Sequence, residues 1–308
     1  MKVGFIGLGN MGAGMALNLQ KTGHDLIVHD MRRANAEPLL AAGASWADSV
    51  TEIGRVADVV FTSLPGPKEM EALGVGEDGL ITSMRAGTVW FDLSTNSPTV
   101  VQAVAKQLAE KGINLLDAPV SGGPAGAKAG TLALYVGGDR EVFDRHKPLL
   151  DAMGDRVMYV GAIGAGSTSK IVHNLISLVV RMAIAEGMSL GVKAGLDPLE
   201  LWYAVRQGAI GRARTLDPHS EMYLRGTYEP ASFAMRLALK DFTLAMDLAE
   251  ELGVPMKQAE AAFEDAKEAV ARGWAEQDSR ISMQLQNERA GVQVKAPTEE
   301  VRRMLARG

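Results

Sequence analysis

The 308-residue chain has no cysteine, which excludes a disulfide framework, a thiolate zinc site and a cysteine nucleophile. A reducing compartment is allowed, and a cytoplasmic location is the expectation. Histidines are few, five in all and scattered, so no metal site is expected. Basic charge is also short. The net charge of −5 leaves no excess to neutralise a phosphate backbone or an anionic membrane surface, so neither nucleic acid nor membrane is an expected partner. The apolar N-terminal stretch from Val3 to Leu19 is punctuated by glycines, unlike the core of a signal peptide. What is present is ordinary for a soluble globular protein: 47% hydrophobic and 22% charged residues, over a length that admits two domains.

From Lys2 to about Val160, short β-branched runs (KVGFIG, DLIVHD, DVVFTSL, TVWFDL, INLLDAPV, LALYVGG, RVMYV) alternate with alanine-rich amphipathic stretches. The alternation predicts βαβ units on a parallel sheet, and the nearly continuous apolar runs suit strands covered on both faces. The fold class expected is an α/β, Rossmann-type doubly wound domain over residues 1–162, followed by an all-α domain over 163–308. A long helix over about 167–194 would join them, spanning roughly 40 Å at 1.5 Å per residue. Asp197-Pro198 suits the start of a further helix, and the polar tail from about residue 276 suits a packed last helix or a frayed end. A long helix apolar on most faces needs other helices or another subunit to cover it, so a homodimer or homotetramer is expected.

Gly7-Leu8-Gly9-Asn10-Met11-Gly12 fits G-x-G-x-x-G between a strand and an amphipathic stretch, the context in which such a loop receives a dinucleotide pyrophosphate at a helix N-terminus. Asp30 ends the next apolar run, where a carboxylate accepts the adenosine ribose hydroxyls, which favours NAD. Arg32 and Arg33 follow at once, and a guanidinium there suits the 2′-phosphate of NADP, so NADP stays an alternative. Leu64-Pro65 and Ser94-Thr95 fall at the carboxyl ends of consecutive strands, where open α/β sheets place their ligands.

FIGLGNMGAGMALNL, from Phe5 to Leu19, resembles the N-terminal signature of the β-hydroxyacid dehydrogenases, the 3-hydroxyisobutyrate dehydrogenase family. Three further blocks resemble that family in order: DAPVSGG (Asp117 to Gly123), GAGSTSKIVHN (Gly164 to Asn174) and KDFTLA (Lys240 to Ala245). The resemblance implies a Rossmann domain, a long interdomain helix and a helical domain, with the active site between the domains. It implies that Lys170 is the catalytic residue, taking the hydroxyl proton as hydride leaves for the nicotinamide, and that Asn174 holds Lys170 and the substrate oxygen in place. A lysine in this role needs a lowered pKa, which burial and a neighbouring positive charge supply. It assigns the substrate carboxylate to Ser121, Gly122 and Gly123, a run of small residues able to form an anion-binding nest. Leu64, Pro65, Ser94 and Thr95 would line the dinucleotide, with Thr95 near the nicotinamide. Lys240 would reach the cofactor from the helical domain, with Asp241 orienting it or solvating the surface. Phe233 would close over the nicotinamide or pack in the core, and His173 is read as packing or helix surface.

The implied activity is an NAD(P)-dependent oxidoreductase for a small 3-hydroxy acid or semialdehyde, nominally 3-hydroxyisobutyrate to methylmalonate semialdehyde. Tartronate semialdehyde, succinic semialdehyde and glyoxylate reductases share the same blocks. The chain departs from the family around Arg206 to Pro218, where Arg212 and Arg214 would suit a substrate with a second anionic group if they point inward. Lys170 counts against an imine reductase. A non-catalytic dinucleotide sensor would need the glycine loop but not Lys170, Asn174 and the Ser121 to Gly123 loop together.

Overall fold

Phe5, Phe61 and Phe91 occupy matching register positions on three adjacent parallel strands and stack along one face of a sheet, their ring centroids 6.3 and 5.2 Å apart. Val60, Trp90 and Leu115 lie one residue out of phase and fill the opposite face. Both faces are therefore buried, the condition under which strands read as unbroken apolar runs, and each ring contributes roughly 2 kcal/mol. The structure is a computed structural model that describes residues 1–212 and 217–306.

The strands are β1 (Lys2–Ile6), β2 (Asp25–His29), β3 (Ser45–Trp46), β4 (Val59–Thr62), β5 (Val89–Asp92), β6 (Asn114–Asp117), β7 (Val120–Ser121), β8 (Ala133–Gly137) and β9 (Arg156–Gly161). Their order is β3-β2-β1-β4-β5-β6-β8-β7, with β9 on β8. The first six strands are parallel in the dinucleotide-binding order. The expected parallel, doubly wound sheet is present, and its far edge adds an antiparallel element: β8 pairs antiparallel to β6 and β7, and β9 runs parallel with β8. The helix after β7, Gly123–Ala129, is a single short piece, and β7 itself pairs with β8, so the chain folds back there.

Two compact units result, Met1–Val172 and His173–Gly308. The division falls inside the long helix Ala165–Lys193 rather than ahead of it, because the first turns of that helix are bound to the end of β6. By length and composition alone this helix could cross a membrane. Within the second unit, however, Leu178 and Met182 enter the helical core, and buried Arg181 donates to Ser279 Oγ at 2.7 Å.

The second unit is helical throughout its described residues, with one isolated bridge between Ala234 and Asp278. The Asp197 carboxylate caps the helix Pro198–Gln207 by accepting from Leu199 N and Glu200 N at 2.9 and 3.0 Å. The described residues end in a packed helix, Thr298–Ala306, whose Val301 and Met304 are buried.

Candidate active site

Gly7 lies at φ 91°, and its amide donates to His29 O at 3.0 Å, turning the chain off β1. A Cβ on Gly7 would sit 2.3 Å from Ser63 O, and one on Gly12 would sit 1.9 Å from Gly7 O, so both positions are closed to side chains by the fold. Gly9 is different: a Cβ there meets nothing within 4 Å. The space beside Gly9 lies ahead of the first helix, Gly12–Gln20, whose N-terminal amides favour an anion, and it suits a pyrophosphate drawn against the backbone. Within the loop Leu8 is buried, Met11 half-buried and Asn10 exposed.

Asp30 braces the loop. Its Oδ2 accepts from Leu8 N at 2.7 Å, and its Oδ1 accepts from Arg32 N at 2.8 Å and Asn35 Nδ2 at 3.0 Å. The carboxylate is thus oriented beside the glycine turn, with lone pairs left for ribose hydroxyls. Arg32 is exposed, whereas the Arg33 guanidinium lies over the Trp46 ring, 4.8 Å from its centroid.

The ends of β4 and β5 are tied by a carboxylate that sequence reasoning missed. Asp92 Oδ1 accepts from Thr62 Oγ1 at 2.8 Å and Ser94 Oγ at 2.6 Å, and Asp92 Oδ2 accepts from Asn96 Nδ2. Ser94 Oγ in turn accepts from Leu64 N at 2.8 Å. One buried carboxylate therefore fixes both the Leu64-Pro65 and the Ser94-Thr95 loops. Leu64 and Thr95 are half-buried and Pro65 is exposed. Burial pushes the Asp92 carboxyl up to about 6, against the pull of these donors.

Asp117, at the end of β6, starts the segment that leads to Ser121, Gly122 and Gly123. Gly122 and Gly123 have φ 133° and 64°, and a Cβ on Gly123 would meet nothing within 4 Å, leaving room at the backbone. The helix that follows is held against the first helix, with Asn18 Nδ2 donating to Ala127 O at 2.8 Å, so the small-residue loop and the glycine turn belong to one packed layer. The Asp117 carboxylate accepts from Gly164 N at 2.8 Å and Ser167 N at 2.6 Å, and burial pushes it above its usual range. Lys170 follows on the same helix and is buried.

In the second unit, Asn174 Nδ2 donates to Asp241 Oδ2 at 2.6 Å, and Lys240 Nζ lies 2.9 Å from Asp241 Oδ1. Asp241 is only 2% exposed, so it is no surface group: it orients the two candidate residues at once. His173 is exposed, with Nδ1 at 2.9 Å from Asn174 Oδ1. Phe233 is half-buried against the helical core, and its amide donates to Asp278 Oδ2 at 3.2 Å. Arg214 and the side chain of Arg212 lie outside the described residues. No group of three or more His, Cys, Asp or Glu suited to a metal ion occurs among the described residues.

Residues 2–161 match the family model for the NAD binding domain of 6-phosphogluconate dehydrogenase, and residues 164–285 match that for the NAD-binding of NADP-dependent 3-hydroxyisobutyrate dehydrogenase. The chain is 36% identical over 294 residues to 2-(hydroxymethyl)glutarate dehydrogenase of Eubacterium barkeri, covering 96% of this chain and 97% of that relative. It is 38% identical over 255 residues to 3-hydroxyisobutyrate dehydrogenase of Pseudomonas aeruginosa, covering 79% and 84%. Among solved structures, 3-hydroxyisobutyrate dehydrogenase from Salmonella typhimurium matches with a TM-score of 0.82 at 31% identity, covering 92% of this chain and 99% of that one.

Proposed function

The chain belongs to the 3-hydroxyisobutyrate dehydrogenase family of NAD(P)-dependent β-hydroxyacid dehydrogenases, which act on a CH–OH group, and we propose that its substrate is a small 3-hydroxy acid or the matching semialdehyde. The nominal pair is 3-hydroxyisobutyrate and methylmalonate semialdehyde. The observation that carries this reading is the anchoring at Asp117, which joins the strand leading to the Ser121 loop to the start of the Lys170 helix.

When bound, the nicotinamide supplies the acceptor or donor of hydride. The chain's own groups do the rest. Backbone N–H groups of Ser121, Gly122 and Gly123 hold the substrate carboxylate. Lys170 Nζ takes the proton from the substrate hydroxyl in oxidation and returns it in reduction. Asn174, oriented by Asp241, would keep the oxygen and Lys170 in register, and Lys240 would help to hold the cofactor. Thr95 would stand beside the nicotinamide.

NAD is the preferred cofactor in this reading, because the Asp30 carboxylate is oriented at the glycine turn and Arg33 is engaged by Trp46. Arg32 keeps NADP as the alternative. The reading also makes the protein a cytoplasmic homodimer or homotetramer. Support for self-association comes from Val172, Ile176 and Leu190 of the long helix, which are 47%, 58% and 73% exposed.

A second reading has a specific support: the Eubacterium barkeri relative is named for a glutarate, a dicarboxylate. Arg212 and Arg214 would then hold the distal carboxylate.

The test is the initial rate of NADH formation with a panel of short 3-hydroxy acids, including 2-(hydroxymethyl)glutarate, with NADP compared under matched conditions. Turnover that falls to a small residual rate in Lys170→Ala is the expected result. Preference for the dicarboxylate, lost in Arg212→Ala or Arg214→Ala, favours the second reading. Cofactor binding with no turnover of any acid or semialdehyde overturns both in favour of a dinucleotide sensor.

A further inference from the structure

The helix that carries Lys170 begins without a cap of its own. Ala162, Ile163 and Gly164 precede it, and none has a side-chain acceptor for the amides that the first turn leaves without partners. The acceptor comes from the sheet instead. Asp117, wholly buried at the end of β6, uses Oδ1 for Gly164 N and Oδ2 for Ser167 N, and its negative charge faces the positive end of the helix dipole. The surroundings leave no slack. A Cβ on Gly166 would sit 2.3 Å from Tyr135 O and 2.5 Å from Asp117 O, and one on Gly137 would sit 2.5 Å from Asp117 Oδ1. Lys170 follows Ser167 by nearly one helical turn, so its position is set by this junction.

We propose that Asp117 is a positioning residue for proton transfer: by holding both Gly164 N and Ser167 N, it fixes the axial position and rotation of the helix start and hence the place of Lys170 Nζ. This rests on the reading of Lys170 as the proton-transfer group. It assigns Asp117 a role apart from substrate contact, although it opens the segment that leads to the substrate loop.

Asp117→Asn has nearly the same shape but offers one oxygen for two donors, turning an amide N–H toward one of the backbone N–H groups. Misplacing a reacting group by about 1 Å costs up to roughly a hundredfold in rate, so kcat should fall by about ten- to a hundredfold. The dinucleotide dissociation constant should stay within about twofold, since the Gly7 to Gly12 loop is untouched. In a Lys170→Ala background the same substitution should cost nothing further, because the group being positioned is gone. Backbone hydrogen exchange over residues 163–170, and the rate at which acetic anhydride acetylates Lys170, should both change in Asp117→Asn.

Equal losses in the two backgrounds, or an unaltered kcat, would overturn the proposal. If the wild type turns over no hydroxy acid, the proposed function fails, while exchange and acetylation still decide the anchoring: no change in either refutes it. Should Asp117→Ala not fold, the nearly isosteric asparagine variant carries the test.

Discussion

Asp92 and Asp117 are register partners on β5 and β6, two wholly buried carboxylates side by side at the carboxyl end of the sheet. Each collects donors from a different direction. Asp92 gathers the hydroxyls and amide of Thr62, Ser94 and Asn96 and so ties two loops together, whereas Asp117 gathers two backbone amides of a distant helix. Burying a carboxylate is unfavourable unless its oxygens are bonded, and here both acids are.

Asp92 makes folding pH-dependent. Its carboxyl is raised from 3.8 to about 6 in the fold, so its contribution to stability is fully present below the unfolded value and is lost as pH rises through 6. A shift of that size corresponds to roughly 3 kcal/mol. Asp92→Asn removes this dependence, and urea unfolding between about pH 4 and pH 7 should show a shallower decline than the wild type. Identical slopes for the two proteins would refute the assignment.

Gly9 and Gly12 should respond oppositely to alanine. Gly12→Ala drives a methyl into Gly7 O and should lower the melting temperature of the cofactor-free protein. Gly9→Ala enters open space, so it should leave that melting temperature unchanged while weakening dinucleotide binding by about tenfold or more. Calorimetric titration with NADH separates the two, and unaltered affinity in Gly9→Ala would move the cofactor away from this turn.

Asp241 restrains Asn174 and Lys240 together. Asp241→Ala should lower kcat/KM by about a hundredfold, and Asp241→Asn by less, because an amide oxygen still accepts from Asn174 but offers Lys240 no charge. Steady-state kinetics of both variants check this. Equal effects would mean that the Asn174 contact contributes nothing, and an unaltered Asp241→Asn that the Lys240 charge contributes nothing.

Arg206 is almost fully buried and pairs with Asp217, with Nε to Oδ1 at 2.7 Å and Nη2 to Oδ2 at 3.3 Å. Asp217→Ala leaves that guanidinium without its counter-ion and should destabilise the protein by about 3 kcal/mol. Urea denaturation measures the loss, and a change below about 1 kcal/mol would mean that water replaces the carboxylate.

The strand runs from KVGFIG to RVMYV were legible because both faces of the sheet are buried, which leaves a continuous apolar signature. The glycine turn was legible because its spacing and its strand-helix context are local. The reversal at β8 was not, since two-residue β7 carries no pattern of its own. Asp92 and Asp117 stood in view at the ends of apolar strands, and a charge there is itself a signal. Their partners were hidden: Asp117 bonds residues 47 and 50 positions away, a pairing that only the packed fold brings about. Asp241 was ambiguous for the same reason, as no spacing reveals that Asn174 lies against it.

The grip of Arg206 on the last helix reaches beyond that helix. Its guanidinium donates to Met304 O and Leu305 O, the end of Thr298–Ala306, while Asp217 holds its other edge. One guanidinium thus fastens three helices, its own Pro198–Gln207, Asp217–Arg225 and Thr298–Ala306, at a single buried point. Trimming the final helical turn would strip two carbonyl acceptors from that buried guanidinium, so a cut near the C-terminus would be felt by helices that begin about a hundred residues earlier.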